Sequence, residues 1–247
     1  DTGAEEWSQK GDYLYGDNDG DQFGFSVSLS TNGTRLTVGA KQNDAAGDNS
    51  GSVRVYDWKI DTMKWVAVSL DILAEAAGDN HGGAVSLSGD GMRLAVGAKK
   101  HDDGGADTGH TRVYQWLSSS WQQLGGDLGD EVGFPAGDEA GSAVSLSKDG
   151  SRVAVGAAQV GSSGKGKVGV YQYVDPSGVN DDPTSGVWTQ LGDDLEGDAT
   201  DDRFGSTIAL SGSGARIAIG APYNDPTNDL TDAGHVQVWE WNALGGT

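Results

Sequence analysis

Apolar and polar residues alternate over short runs along most of the chain. Val27 and Leu29 alternate with Ser28 and Ser30, and Leu36 and Val38 follow beyond Asn32-Gly33. A period of two marks a strand, and Asn-Gly favours the positive φ angles of a tight hairpin turn. The pattern occurs four times. "DQFGFSVSLSTNGTRLTVGA" begins at Asp21, "DNHGGAVSLSGDGMRLAVGA" at Asp79, "DEAGSAVSLSKDGSRVAVGA" at Asp138 and "DRFGSTIALSGSGARIAIGA" at Asp202. These cores, 21–40, 79–98, 138–157 and 202–221, align without insertion at intervals of 58, 59 and 64 residues. Self-similarity at such a period means a repeat architecture.

Each core predicts two strands. A polar loop follows, then a third strand with an aromatic tail: "VRVYDW" from Val53, "TRVYQW" from Thr111, "VGVYQY" from Val168 and "VQVWEW" from Val236. A fourth strand starts near Trp65, Trp121 and Trp188. One face of the first two strands carries Val, Leu and Ile. The other carries small residues such as Ser28, Ser86, Ala95, Ala154 and Ala218, where a solvated sheet would show Lys and Glu. Small residues leave room for a neighbouring sheet, and sheets stacked radially form a β-propeller. "WSQKGDYLYG" from Trp7 resembles the fourth-strand segment "WTQLGDDLEG" from Trp188, and the last unit lacks a fourth strand of its own. The expectation is a single all-β domain over 1–247: a β-propeller of four four-stranded antiparallel blades, closed by an N-terminal strand within residues 1–16. An open array, or a piece of a larger propeller, is the alternative.

Phe23-Gly24 and Phe204-Gly205, each followed fifteen residues later by Gly-Ala, and Gly220-Ala221-Pro222 in the last unit, resemble the FG-GAP repeat of integrin α-subunits and related extracellular proteins. The resemblance implies a propeller, an extracellular or cell-surface setting, and adhesion or ligand binding instead of catalysis. Two departures stand out. His81-Gly82 and Ala140-Gly141 replace Phe-Gly in the middle units. The calcium loop that integrin-type repeats often carry between the first two strands is here only a tight turn, so its ligands do not carry over.

The formal net charge of −21, from 37 acidic and 16 basic residues, repels nucleic acid and anionic membrane and favours cations or basic partners. No apolar run is long enough for a membrane span, so no membrane insertion is expected. With no cysteine, disulfides and thiolate chemistry are excluded. The start at Asp1 suits a processed or trimmed chain. The 41 glycines sit largely among Asn, Asp and Ser, which fits many turns.

"GDNDGDQFG", from Gly16 to Gly24, holds the candidate metal ligands Asp17, Asp19 and Asp21. Oxygen ligands at alternating positions suit calcium, the one cofactor the sequence suggests, although no Glu completes an EF-hand. Asp21 recurs as Asp79, Asp138 and Asp202, which favours a structural role in accepting backbone N–H groups. Arg35, Arg93, Arg152 and Arg216 also recur, and a blade-to-blade salt bridge or a bond to loop carbonyls explains them. "GSSGKGK" from Gly161 approaches a phosphate-binding loop, but Val168 stands where Ser or Thr is needed and a strand follows, not a helix. The histidines His81, His101, His110 and His235 form no zinc-type spacing and no Ser-His-Asp arrangement, so an enzyme is not expected.

The loops between second and third strands vary in length and charge, and they should share one rim. Their candidate binding residues are Asn43, Asp44, Asp48, Asp102, Asp103, Asp107, Asn224, Asp225, Asn228 and Asp229. Variable loops on a fixed scaffold are where binding sites usually lie. The expected function is an extracellular, non-catalytic binding or adhesion module whose partner is a protein or glycan at the cell surface. A building block of a larger assembly is second, and a hydrolase third.

Overall fold

In a computed structural model of the chain, residues 6–129, 135–159, 164–175, 185–225 and 231–242 are described. They hold strands, turns and bends, and no helix. The strands form four antiparallel sheets, one for each repeat. The first contains β1 (Phe23–Leu29), β2 (Arg35–Ala40), β3 (Ser52–Lys59), β4 (Lys64–Ala67) and the short β5 (Ile72–Leu73). The second contains β6 (Ala84–Leu87), β7 (Arg93–Ala98), β8 (His110–Leu117) and β9 (Ser120–Gln123). The third contains β10 (Ala140–Leu146), β11 (Arg152–Ala157), β12 (Lys167–Val174), β13 (Val187–Gln190) and β14 (Leu195–Glu196). The fourth contains β15 (Thr207–Leu210), β16 (Arg216–Ala221) and β17 (His235–Glu240).

The hairpin between first and second strands follows from its residues. Gly33, Gly91, Gly150 and Gly214 all take positive φ. Asn32, Asp90 and Asp149 each accept a hydrogen bond from the serine two residues earlier, closing the turn with a side chain. The fourth strand is interrupted. After β4 and β13 the chain bends, then pairs again as β5 and β14 with the start of β3 and β12. In the second sheet the same return is a bridge between Thr111 and Leu128.

The apolar core lies between sheets. One cluster joins the first two sheets through Val53, Leu87, Leu94 and Tyr114. A second joins the middle two through Val113, Leu124, Leu146 and Tyr171. A third joins the last two through Val168, Phe204, Ile217 and Ile219. The small-residue face meets its neighbour as expected. Ser28 Oγ accepts the Leu87 N–H, Ser86 Oγ that of Leu146, and Ser145 Oγ that of Leu210, at 2.9–3.0 Å. The recurring arginines add a second bond: Arg35, Arg93 and Arg152 donate to the carbonyls of Gly91, Gly150 and Gly214 in the next sheet. A backbone ladder runs across the turns as a third, from Thr31 N to Gly89 O, Gly89 N to Lys148 O, and Lys148 N to Gly212 O. The sheets are therefore successive blades of the propeller type.

Among the described residues the sheets do not close into a ring. β17 has no fourth-strand partner among the described residues, and residues 6–16 form no strand. They lie instead along the first blade, where Trp65 Nε1 donates to Lys10 O at 3.0 Å and Lys10 Nζ sits 4.6 Å above the Trp58 ring. This is how the tail of one blade meets the next: Trp188 Nε1 donates to Leu124 O at 2.7 Å. The similarity between the Trp7 and Trp188 segments thus marks a place beside the following blade. Val27 and Leu29 on the first blade are 62% and 56% exposed, and Val236 and Val238 on the last are both 70% exposed. Their equivalents inside the stack are buried or half-buried, so among the described residues the two end faces lack a neighbour. Ala209 replaces Ser28, Ser86 and Ser145, so the last blade has no hydroxyl to accept a further Leu N–H.

Candidate functional site

Strand register places all loops between second and third strands at one end of the blades, because Ala40, Ala98, Ala157 and Ala221 pair with Ser52, His110, Lys167 and His235. The connections from blade to blade share this loop face.

The recurring aspartates anchor it. Asp21, Asp79, Asp138 and Asp202 are buried. Asp21 accepts the Asn18 N–H, Asp79 that of Ala76, and Asp202 that of Ala199, each three residues earlier, at 2.9–3.2 Å. The opposite loop supplies a second donor. Asn43 Nδ2 reaches Asp21, and Asn224 Nδ2 reaches Asp202, both at 2.9 Å. In the second blade His101 Nδ1 takes that place, 3.3 Å from Asp79. In the third blade Pro135 stands three residues before Asp138 and has no N–H, and Lys167 Nζ lies 3.4 Å from the carboxylate. Replacing Asp202 with Ala strands the Ala199 N–H and the Asn224 amide. A loss of about 1–3 kcal/mol is expected, equal with and without chelator in urea titrations.

The loop residues divide by burial. Asn43 and Asn224 are buried partners of the aspartates, not free rim groups. Asp44, Asp102 and Asp225 accept the N–H groups of Asn49, Asp107 and Asp232, so they shape their own loops. Asp48, Asp103 and Asp107 are exposed. Asn228 and Asp229 lie outside the described residues, as do residues 161–163 of the phosphate-loop lookalike. Its Lys165 pairs with Glu196, and its Lys167 is buried against Asp138 and Asp194.

Asp17, Asp19 and Asp21 are not brought together. Asp17 forms an ion pair with Arg54, which lowers its pKa, while Asp21 turns inward and Asp19 is exposed. A loop can place alternating carboxylates on different partners, and here Arg54 and Asn43 each claim one.

Side chains that sequence spacing did not link meet at the centre of the loop face. An opening of about 260 Å³ is lined by Phe25 and Lys41 of the first blade, Asn80 and Lys99 of the second, Glu139 of the third and Arg203 of the fourth. Gln22, Asn80, Glu139 and Arg203 are equivalent residues with φ of 52–56°. Keeping non-glycine residues there costs about 1 kcal/mol or more apiece. Lys99 pairs with Glu139 at 2.9 Å, and Lys41 Nζ lies 3.6 Å from the centre of the Phe25 ring. Burial and the charge of Lys99 hold the Lys41 pKa below its ordinary value. A basic spot in so acidic a chain is suited to an anionic group.

Three of the four histidines also gather on this side. His81, His101 and His110 are buried, and the His101 and His110 ring centres are 4.0 Å apart. Burial pushes the His81 and His110 pKa values down to about 3. For His101 burial acts in the same direction, but Asp79 and Asp103 outweigh it and raise the pKa. His110 and His235 begin β8 and β17, as their shared repeat position implies.

A family model of the FG-GAP repeat matches residues 16–56 and 196–239. The first and last repeats thus match the FG-GAP repeat. No curated protein matches it. The matched segments include the two Phe-Gly pairs, and the geometry accounts for both glycines of the FG-GAP signature. The glycine at the Phe-Gly position takes positive φ in every blade: 90° at Gly24, 82° at Gly82, 84° at Gly141 and 89° at Gly205. The glycine of Gly-Ala packs on the next blade, so that a Cβ on Gly39, Gly97 or Gly156 would strike the carbonyl oxygen of Gly82, Gly141 or Gly205. The two halves of the FG-GAP motif therefore meet across blades as well as within one.

Proposed function

We propose that the chain is a binding module of the adhesion type, working outside the cell or at its surface. Its ligand is a protein or glycan that presents a carboxylate or sulfate to the central opening of the loop face. One observation carries this reading: Lys41, Lys99 and Arg203, from three different blades, line a single opening in a chain of net charge −21. A charged group entering between them would gain charge-assisted hydrogen bonds worth about 1.5–3 kcal/mol each. The rim loops would set which ligand fits, and no catalytic role is assigned. Screening against acidic and neutral glycans should return acidic ones. The double variant Lys41→Glu with Lys99→Glu should weaken binding by about tenfold or more, roughly 1.4 kcal/mol. Equal binding by variant and wild type would place the site elsewhere.

Ring closure belongs to the same reading. A recess of about 330 Å³ beside β17 is lined by Leu191, Leu210, Ile217 and Trp239. Trp188 packs at the corresponding place in the third blade. Trp7, fully exposed, is the residue of the same motif that could fill it. Deleting residues 1–16 should then lower the melting temperature and promote aggregation through the free β17 edge. No change in either would remove the closing role from this segment.

A further inference from the structure

We propose that Glu75, His101 and Asp103 bind a divalent ion of the zinc class on the loop face of the second blade. The inference starts from an exchange between repeats. In the first and last blades an asparagine amide is the side-chain donor to the buried aspartate, beside the backbone N–H from three residues earlier. The second blade uses His101, whose Nδ1 faces Asp79 at 3.3 Å. An imidazole has a second nitrogen that an asparagine lacks. Nε2 lies 3.2 Å from Asp103 Oδ2 and 3.9 Å from Glu75 Oε2. All three ligand atoms lie within 4.8 Å of one another, and among the described residues this is the group that could hold a metal. The 3.2 and 3.9 Å separations from Nε2 suit an ion with bonds of about 2.0–2.2 Å.

The surroundings match what a bound ion requires. A metal-ligating histidine usually directs its other nitrogen at a carboxylate, which fixes the tautomer and ring orientation. Asp79 does this from a buried position and is itself held by the Ala76 N–H at 3.0 Å. The His110 ring lies against His101 and limits its rotation. Glu75 Oε2 also pairs with Arg112 at 2.8 Å, and Arg112 keeps Asp127 at 2.6 Å when Glu75 turns to the ion. The Glu75 and Asp103 side chains are 47% and 76% exposed, so the ion enters from solvent and completes its shell with water. One imidazole with two carboxylates favours zinc-class ions over calcium, which takes six to eight oxygens.

The test is calorimetric titration of Zn²⁺ into the full metal-free chain at pH 7.5, beside His101→Asn. That variant installs the residue used in the first and last blades, so the anchor survives and only Nε2 is removed. Wild type should bind one ion and gain melting temperature on zinc addition. His101→Asn should bind at least about tenfold more weakly, with an unchanged metal-free melting temperature. Should His101→Asn lose metal-free stability, Glu75→Gln replaces it and should weaken zinc binding to a similar degree. Wild type without zinc heat or thermal shift at millimolar zinc overturns the proposal. So does a set of weak sites that neither variant alters, or a thermal shift with calcium but none with zinc.

Discussion

Gly97→Ala should be among the most damaging single-methyl changes in this protein. The added Cβ falls on the carbonyl oxygen of Gly141, and the Gly141 Cα lies about as close as that carbon can tolerate. A flexible side chain could move aside, but this oxygen belongs to a backbone fixed by the bonds between the second and third blades. Overpacking of a tight core costs about 1–3 kcal/mol and sometimes more, and a backbone clash belongs at the upper end. A loss of about 3 kcal/mol corresponds to roughly 6–12 °C in melting temperature for a domain of this size. Gly220→Ala is the internal control. It occupies the same repeat position, but no blade follows it among the described residues, and the nearest atoms to its Cβ are the side chain and carbonyl of Thr207 within its own sheet. Its cost should be well below that of Gly97→Ala. Equal losses in thermal melts would mean that the interface does not dictate the glycine.

His81→Phe should make the protein resistant to mild acid. His81 occupies the position of Phe23 and Phe204, is fully buried, and its Nε2 has no hydrogen-bond partner among the described residues. Burial is the main cause of its low pKa, and Arg112 and His101 add to it against the pull of Asp127. Above the unfolded value of 6.5, neither folded nor unfolded chain carries the proton and stability is insensitive to this group. As pH falls from 6.5 towards 3, the unfolded chain takes up a proton that the folded one refuses. Stability then drops by about 1.4 kcal/mol for each pH unit. At pH 5 the variant should therefore lead wild type by about 2 kcal/mol more than at pH 7.5. Urea denaturation at both pH values, with chelator present, measures that difference. His110 is held down in the same way and leaves part of the acid sensitivity in the variant. An unchanged gap between the two pH values would show that His81 is protonated in the folded chain.

The parts of the fold that were legible in the sequence are those that repeat locally. Alternation at Val27 and Leu29, and the turn at Asn32-Gly33, depend on neighbours within a few residues, and they appear in the structure as β1, a positive-φ glycine and β2. The recurring arginines were legible as bonds to loop carbonyls, which Arg35, Arg93 and Arg152 make to the next blade. The alternative, a salt bridge between blades, is not what Arg35 and Arg216 form: theirs, to Asp57 and Glu240, lie within their own sheets. The central opening was not legible. Lys41, Lys99 and Arg203 stand in loops that read as acidic or unremarkable, and only the stacking of blades brings them together. The histidine cluster was missed for a similar reason. Glu75 and His101 belong to different connections, 26 residues apart, so no ligand spacing along the chain connects them. The opening acidic stretch misled in the other direction, since Asp17 and Asp21, close in sequence, take different partners, one Arg54 and the other Asn43.

The fit of one repeat's Gly-Ala glycine against the next repeat's Phe-Gly carbonyl also limits how such a chain can change over time. A substitution that enlarges either half must be answered in the adjoining unit, 43 to 49 residues away, so the copies cannot drift independently. Duplication of a whole unit avoids this difficulty. The new copy brings its own carbonyl for the unit before it and its own glycine for the unit after it. Gain or loss of complete units is therefore the easiest way for the gene to lengthen or shorten, whereas a crossover inside a unit would have to fall in register to keep both halves of the contact.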